Sequence, residues 1–329
     1  MSELWEFRLS NGDEISETWR RDETKTSTFE DRKVNDILLI RRTDNGVEDR
    51  YRSIAVNEGE GTPQGVIAAA MIDGVWRLHL PGNSVPRIFR RLPIQSYPVP
   101  IVPALDGNFD VRQDRQALPL NEDNKQLLSR ALGNIPAMIQ FAYSENWEAK
   151  HLLSRVEVPH RSAYRNQDEF DWWKGELRIL AETVASLPLV LSRARLGPGL
   201  NGEDWSADFV LPQLSLPSSD HTVAVDRAWP LIDAITDLNP PELSIASDWT
   251  ITAQNWSQLG LEVSLVALED IAAHLRNVGG LLDKLPISED KNDWLVSFLD
   301  VIGECWTEMK VEHPAALDGL LPDQLVLGF

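Results

Sequence analysis

The 329-residue chain (37.1 kDa) carries 31 Lys+Arg against 51 Asp+Glu, a net charge of −20, with 43% apolar and 25% charged residues. That length supports two domains or one large one, and the composition excludes wholesale disorder. No run reaches the roughly 18 apolar residues of a membrane-spanning helix, and the opening MSELWEFRLSNGDE has no apolar leader core, so export is not expected.

Residues 1–80 read as antiparallel β. LWEFRLS faces DEISETW across Asn11-Gly12, DILLIRRT faces VEDRYRSIAV near Asn45-Gly46, and GVIAAAMI faces VWRLHL across Asp73-Gly74. Asn-Gly and Asp-Gly reach the left-handed φ values of tight hairpin turns at little cost. In VWRLHL, Val75, Arg77 and His79 alternate with Trp76, Leu78 and Leu80, the period of a half-buried strand. Residues 81–120 hold seven prolines (Pro81, Pro86, Pro93, Pro98, Pro100, Pro103 and Pro119), which exclude long regular elements. The apolar run PIQSYPVPIVPAL nonetheless predicts an extended segment packed between layers.

After residue 120 the apolar period becomes helical. Leu127, Leu128, Ala131, Leu132, Ile135, Met138 and Phe141 fall on one face, with a kink expected at Pro136. Asn166-Gln-Asp-Glu169 resembles a capping box. It opens a helix with Phe170, Trp173, Leu177, Leu180, Val184 and Leu187 on one side, ended by Pro188. Further helices are predicted over 264–277, stopped by Gly279-Gly280, and over 290–311, where Trp294, Leu295, Phe298, Leu299, Ile302, Cys305, Trp306 and Met309 form the inner face. The stretch 189–260 has no clear order. The expected architecture is α+β: an antiparallel β domain at 1–85, a proline-rich packed connector at 86–120 and a mainly helical domain at 121–329.

The charge is uneven. Residues 1–200 hold 26 Lys+Arg and 29 Asp+Glu, whereas residues 201–329 hold 5 and 22. The acidic segment repels a phosphate backbone or an anionic membrane surface, so neither nucleic acid nor membrane is an expected partner. It serves either as a solvated, solubilising surface or as a docking face for a basic protein. Cys305, the single cysteine, excludes an internal disulfide framework and fits a reducing, cytoplasmic compartment. Among Ile302 and Met309 it reads as a buried, inert thiol.

No complete catalytic motif is present. GxxxxGK[ST], HExxH, GxSxG and CxxC are all absent, and no two of the six histidines share the i, i+4 spacing of a helical metal site. Gly59-Glu-Gly61-Thr-Pro-Gln-Gly65 places its third glycine one residue too far for GxGxxG and reads as a surface turn. Trp172 and Trp173 cannot share one side of a helix. One of them, Trp172, is therefore a candidate for either a second packing contact or a partner surface. Arg87, Arg90 and Arg91 precede the proline-rich segment, and Arg112 and Arg115 follow it. These guanidinium forks suit phosphate oxygens, but Asp110 and Asp114 between them equally suit structural ion pairs.

The same stretch carries a likeness. IFRRLPIQSYPVPIVPALDGNFDVRQDRQALPLNEDNKQLLSRAL resembles the segment that follows the nucleotide domain in bacterial sacsin-like ATPases of the heat-shock-protein-90 class. IQFAYSENWEAKHLLSRVEVP and DEFDWWKGELRILAETVASLPLVLSRA are similar to the helical segments after it, so the resemblance runs from Arg87 to Leu196 and more loosely to Asn277. It implies a middle region that transmits nucleotide-driven change to clients or partners. The family's ATP site uses a helix with Glu and Asn one turn apart, an Asp-x-Gly-x-Gly turn and a glycine-rich lid, and none occurs in these 329 residues. The resemblance therefore implies a non-catalytic region downstream of an ATPase domain, with ATP held only by that other domain. It also implies that Arg115, with Arg112 as substitute, reaches the γ-phosphate there as an arginine finger does. The alternative is a stand-alone cytoplasmic interaction or scaffold protein with an acidic C-terminal face.

Overall fold

A computed structural model describes residues 6–11, 14–82, 85–90, 92–94, 99–111, 118–187, 189–191, 205–206, 225–235, 243–263, 287–288 and 290–312. The fold is α+β, a mostly antiparallel sheet followed by helices. The strands are β1 (Glu6–Asn11), β2 (Glu14–Phe29), β3 (Arg32–Thr43), β4 (Glu48–Asn57), β5 (Gln64–Ile72), β6 (Val75–Leu78), β7 (Ile88–Arg90), β8 (Leu92–Pro93) and β9 (Ala104–Asp106). They form one nine-stranded sheet in the order β1-β2-β3-β4-β5-β9-β7-β8, with β6 also paired to β5. Only β7 and β9 run parallel among its pairs.

The three expected strand pairs are present, although in the first of them Asn11 is the last residue of β1, paired with Glu14, and Gly12 lies outside the described residues. At Asp73-Gly74 both residues have positive φ (+49° and +85°), the geometry of a two-residue hairpin turn. Asn45-Gly46 sits instead in a three-residue loop, where the Thr43 N–H donates to the Val47 carbonyl at 3.0 Å and Gly46 alone is left-handed (φ +82°). A fourth hairpin carries no glycine signal. β2 continues to Phe29 and turns into β3 through Glu30 (φ +46°) and Asp31 (φ +60°), two L-residues in the left-handed region.

The proline-rich stretch is part of the same sheet. Arg87 anchors it by donating to the carbonyls of Pro81 (3.0 Å), Val85 (2.8 Å) and Ile101 (3.2 Å), and Val99, Ile101, Leu105, Phe109 and Leu118 are buried. Two helices then cover one sheet face: α1 (Glu122–Leu132) and α2 (Ile135–Ser144). The expected single helix kinked at Pro136 is thus two helices, broken at Gly133-Asn134. The proline occupies the first turn of α2, where its missing N–H costs nothing. Buried Asn134 stabilises the break, its Nδ2 donating to the carbonyls of Pro63 and Arg130 at 3.1 Å each. Gly65 in β5 allows the close approach of α2, since a Cβ there would lie 2.9 Å from Met138 Sδ.

Helix α3 (Gln167–Ala185) packs on α1 and α2. Its N-terminus is the predicted cap: Asn166 Oδ1 accepts from Glu169 N at 2.8 Å. The returning Glu169 carboxylate accepts from Arg165 N (3.0 Å), one residue before the usual partner. Trp173, Leu177, Leu180 and Val184 are buried as expected.

The chain divides into two compact units, one of residues 1–187 with 258–261, the other of 188–257 with 262–329. This differs from the three segments read from the sequence, because β7–β9 are strands of the main sheet and α1–α3 pack on it or on each other. The second unit contains the short pair β10 (Val190–Leu191) and β11 (Trp205–Ser206), then α4 (Val225–Asp233), α5 (Leu243–Gln258) and α6 (Lys291–Glu312). In α6, Trp294, Leu295, Phe298 and Val301 are buried, and Trp294 Nε1 donates to the Leu231 carbonyl of α4 at 3.0 Å. Leu299, expected on that inner face, is exposed, because the buried stripe passes through Val301 instead. The side chains of Ile302, Cys305, Trp306 and Met309, and the helix predicted over 264–277, lie outside the described residues.

Candidate functional site

Opposite residues of an antiparallel pair share a sheet face, so the register sorts the side chains. Val34, Ile54, Val56, Ile67 and Ala69 lie on the face under α1 and α2, and all are buried. The other face holds Trp19, Ile37, Leu39, Arg41, Tyr51, Ala55, Val66, Ala68 and Ala70, all half-buried. Helices α1 and α2 pack on the first face only: Met138 lies over Gly65 and Phe141 meets Phe29 edge-on at 5.8 Å. Among the described residues of the first unit no helix covers the second face.

That open face is ordered. A row crosses β2, β3 and β4. Trp19 and Tyr51 sit 5.1 Å apart, Tyr51 meets His79 edge-on at 5.7 Å, and the Arg41 guanidinium lies 5.9 Å over the Trp19 ring. Glu17 fixes the row, accepting from Trp19 Nε1 (3.0 Å) and Arg41 Nε (2.7 Å), while Asp49 holds the other side of Arg41 at 3.3 Å. The hydrogen bonds from Trp19 and Arg41 hold the Glu17 carboxyl below its ordinary pKa, so it stays charged near neutrality. Beside the row lie Ile37 and Leu39, whose backbone the sheet already satisfies. The surface offers shape, aromatic area and a paired charge cluster, which suits binding to another polypeptide.

The sequence holds one sign of this face. Ile37-Leu-Leu-Ile40 loads both sides of β3 with apolar side chains, which a strand solvated on one side would not carry. The row itself was not legible, because Trp19, Arg41 and Tyr51 are brought together only by strand register.

On the helix-covered face, Arg52 occupies a different kind of site. Its Nε and Nη2 reach the two oxygens of Asp36 (3.2 and 2.6 Å), and Nη1 donates to Glu145 at 2.7 Å. The rings of Trp76 and Trp147 lie 5.5 and 5.7 Å from it. Burial opposes its charge, yet Asp36 and Glu145 hold its pKa above the ordinary value. A cavity of about 250 Å³ adjoins it, lined by Glu23, Lys25, Asp36, Leu38, Trp76 and Glu145. With its cation committed on both sides, Arg52 ties β3 and β4 to the end of α2.

The residues singled out from the sequence fall as follows. Arg112 and Arg115, with Arg91 and Asp114, lie outside the described residues. The backbone on either side of Arg112 and Arg115 is held by buried Asn124 of α1, which accepts from Asp110 N (2.8 Å) and donates to the carbonyls of Asp110 (2.8 Å) and Pro119 (2.7 Å). Nothing in the sequence reading marked Asn124. Arg87 binds carbonyls rather than acids, and burial lowers its pKa. Trp172 is half-buried, edge-on to fully buried Trp173 at 4.9 Å, and lines a groove of about 460 Å³ with Glu122, Lys125, Gln126, Ser129 and Arg130. Both cations of that groove are paired, Lys125 with Glu122 and Arg130 with Glu58, each at 2.7 Å. Of the 59–65 segment, residues 59–63 form the turn between β4 and β5, pinned by Thr62 Oγ1 donating to the Gly59 carbonyl at 2.8 Å, whereas Gln64 and Gly65 belong to β5 and Gly65 is buried under α2 rather than on the surface.

No helix among the described residues is long and apolar enough to cross a membrane, and none of their His, Cys, Asp and Glu side chains group as a metal site. No family model, curated protein or solved structure matches the chain.

Proposed function

We propose that the chain is a non-catalytic, cytoplasmic protein-binding region that holds extended client polypeptides on the open sheet face. The observation that carries this reading is a face that no helix among the described residues of the first unit covers: Trp19, Tyr51, Ile37 and Leu39 lie together on it, each half-buried. Isolated apolar residues on a surface are ordinary, but a contiguous apolar patch rimmed by charge marks an interaction site. Glu17, Arg41 and Asp49 supply that rim.

The resemblance to sacsin-like ATPases of the heat-shock-protein-90 class supports assigning this binding role to a chaperone whose ATPase is a separate domain. In that assembly Arg115, or Arg112, contacts the γ-phosphate of ATP held by the other domain. A stand-alone scaffold is the second reading, favoured by the acidic excess in residues 201–329, which suits a basic partner.

The test is fluorescence anisotropy of a labelled, reduced and alkylated model protein titrated with the full chain. Wild type binds, and Leu39→Asp with Tyr51→Ala weakens binding about tenfold or more, as loss of a central apolar contact does. Absence of binding by a folded wild type, or equal binding by the double variant, overturns the reading. Joining the chain to a family ATPase domain tests the arginine: Arg115→Ala lowers turnover while leaving client affinity unchanged.

A further inference from the structure

The outer edge of β2 offers a second surface, independent of the open face. Among the described residues β1 pairs with β2 from Glu14 to Arg20, and β2 runs on to Phe29. Asp22 is bulged out of the register with β3, which leaves a regular strand from Glu23 to Phe29. Residues 22–28 are exposed. Phe29 and Arg32 close a two-residue turn and so exchange both backbone hydrogen bonds. Direction alternates along a strand, so Ser27, Lys25 and Glu23 also face β3. Thr24, Thr26 and Thr28 point their N–H and C=O groups outward, where no strand among the described residues meets them. Such an edge templates pairing with another strand, and natural sheets block it with proline, bulges or charge. Here Glu23–Phe29 has no proline and three β-favouring threonines.

We propose that this edge pairs antiparallel with the same edge of a second copy, about a two-fold axis through Thr26. Self-complementarity selects that occupant and that register. Thr26 then opposes Thr26, and Thr24 opposes Thr28 of the second copy, giving roughly six interchain backbone bonds and occupying every outward group. Lys25 meets Ser27 and Glu23 meets Phe29, so within Glu23–Phe29 no like charges are directly opposed. A register about Lys25 sets two lysines face to face. A register about Thr24 brings Thr28 against Arg20, whose edge Glu6 of β1 already occupies. The bulge at Asp22 and the turn at Glu30 lie equally far from Thr26. Their acids are engaged at home, Asp22 with Arg20 (3.3 Å) and Glu30 with Gln140 (2.9 Å). The dimer joins two sheets into one and doubles the open face.

Analytical ultracentrifugation of the full chain from low to high micromolar concentration tests this. Wild type is a monomer–dimer equilibrium. Thr26→Pro removes an outward N–H at a position where edge strands tolerate proline, together with the exposed Thr26 Oγ1 bond to Asn35 at 3.1 Å, and raises the dissociation constant at least about tenfold. In a Cys305→Ser background, Thr26→Cys forms a disulfide dimer on mild oxidation, because the opposed Cα atoms sit about 5.5 Å apart. Thr28→Cys does not, but Thr24→Cys and Thr28→Cys chains link when mixed. A wild type monomeric throughout, unchanged self-association of folded Thr26→Pro, or equal linking of Thr28→Cys and Thr26→Cys overturns the proposal.

Discussion

Replacing Arg52 by methionine isolates the electrostatic part of the Asp36–Arg52–Glu145 clasp, because methionine keeps most of the aliphatic stem that packs between Trp76 and Trp147. The side chains of Arg52 and Asp36 are 13% and 16% exposed, whereas Glu145 is 41% exposed. Hydrogen bonds to charged groups contribute about 1.5–3 kcal/mol each, and the exposed Glu145 arm is discounted to under about 1 kcal/mol. Breaking a buried pair costs about 3–5 kcal/mol, since the remaining charge is stranded, and partial exposure of Asp36 selects the lower end, about 3 kcal/mol. For a folded unit of this size that lowers the melting midpoint by about 6–12 °C. Urea and thermal unfolding of the full chain, followed by far-UV circular dichroism, measure it. Asp36→Asn alone and combined with Arg52→Met complete a double-mutant cycle, with an expected coupling of about 2 kcal/mol. A cost below about 1 kcal/mol for Arg52→Met, or a coupling near zero, refutes the view that the Asp36–Arg52 pair stabilises the fold by joining β3 to β4.

Glu30→Asn with Asp31→Gly gives the β2–β3 turn residues suited to two positive φ values and stabilises the chain by about 1 kcal/mol in urea unfolding, despite loss of the Gln140 bond. Asn124→Ala leaves the Asp110 N–H and two carbonyls unpaired beneath α1 and destabilises by about 2–4 kcal/mol, read in the same assay. Glu58 accepts from Arg32 and Arg130, which lower its pKa below the ordinary 4.5. The unfolded chain therefore takes up this proton first as pH falls, and the stabilisation from Glu58, full above about pH 4.5, is lost as pH drops through the lower folded value. Acid titration of Glu58→Gln accordingly shows a shallower loss of stability below that pH than wild type.

Where local chemistry sets local geometry, sequence and structure agree. Asp73-Gly74 turns a hairpin because its φ values demand those residues, Asn166 caps α3 because its side chain accepts from the N–H three residues on, and Trp173, Leu177, Leu180 and Val184 share a face because 3.6 residues make a turn. The disagreements arise where a residue with poor local credentials is held by distant partners. Glu30 and Asp31 take left-handed backbone under the pull of two long strands. The α1–α2 break falls at Asn134, whose amide answers a carbonyl 71 residues away.

The candidate site divides along the same line. The sequence alone determined that this is an α+β chain, hairpins first and helices after, with an acidic second half and a β3 strand apolar on both sides. Tertiary structure decided which of those sides the helices cover, which leaves Trp19, Arg41 and Tyr51 together on the other, and which stretch of β2 meets β3 alone among the described strands. Hairpin turns and helix caps are written in adjacent residues, whereas a shared sheet face depends on register across four strands. A shift by one residue would turn Trp19 away from Tyr51 without altering any local propensity.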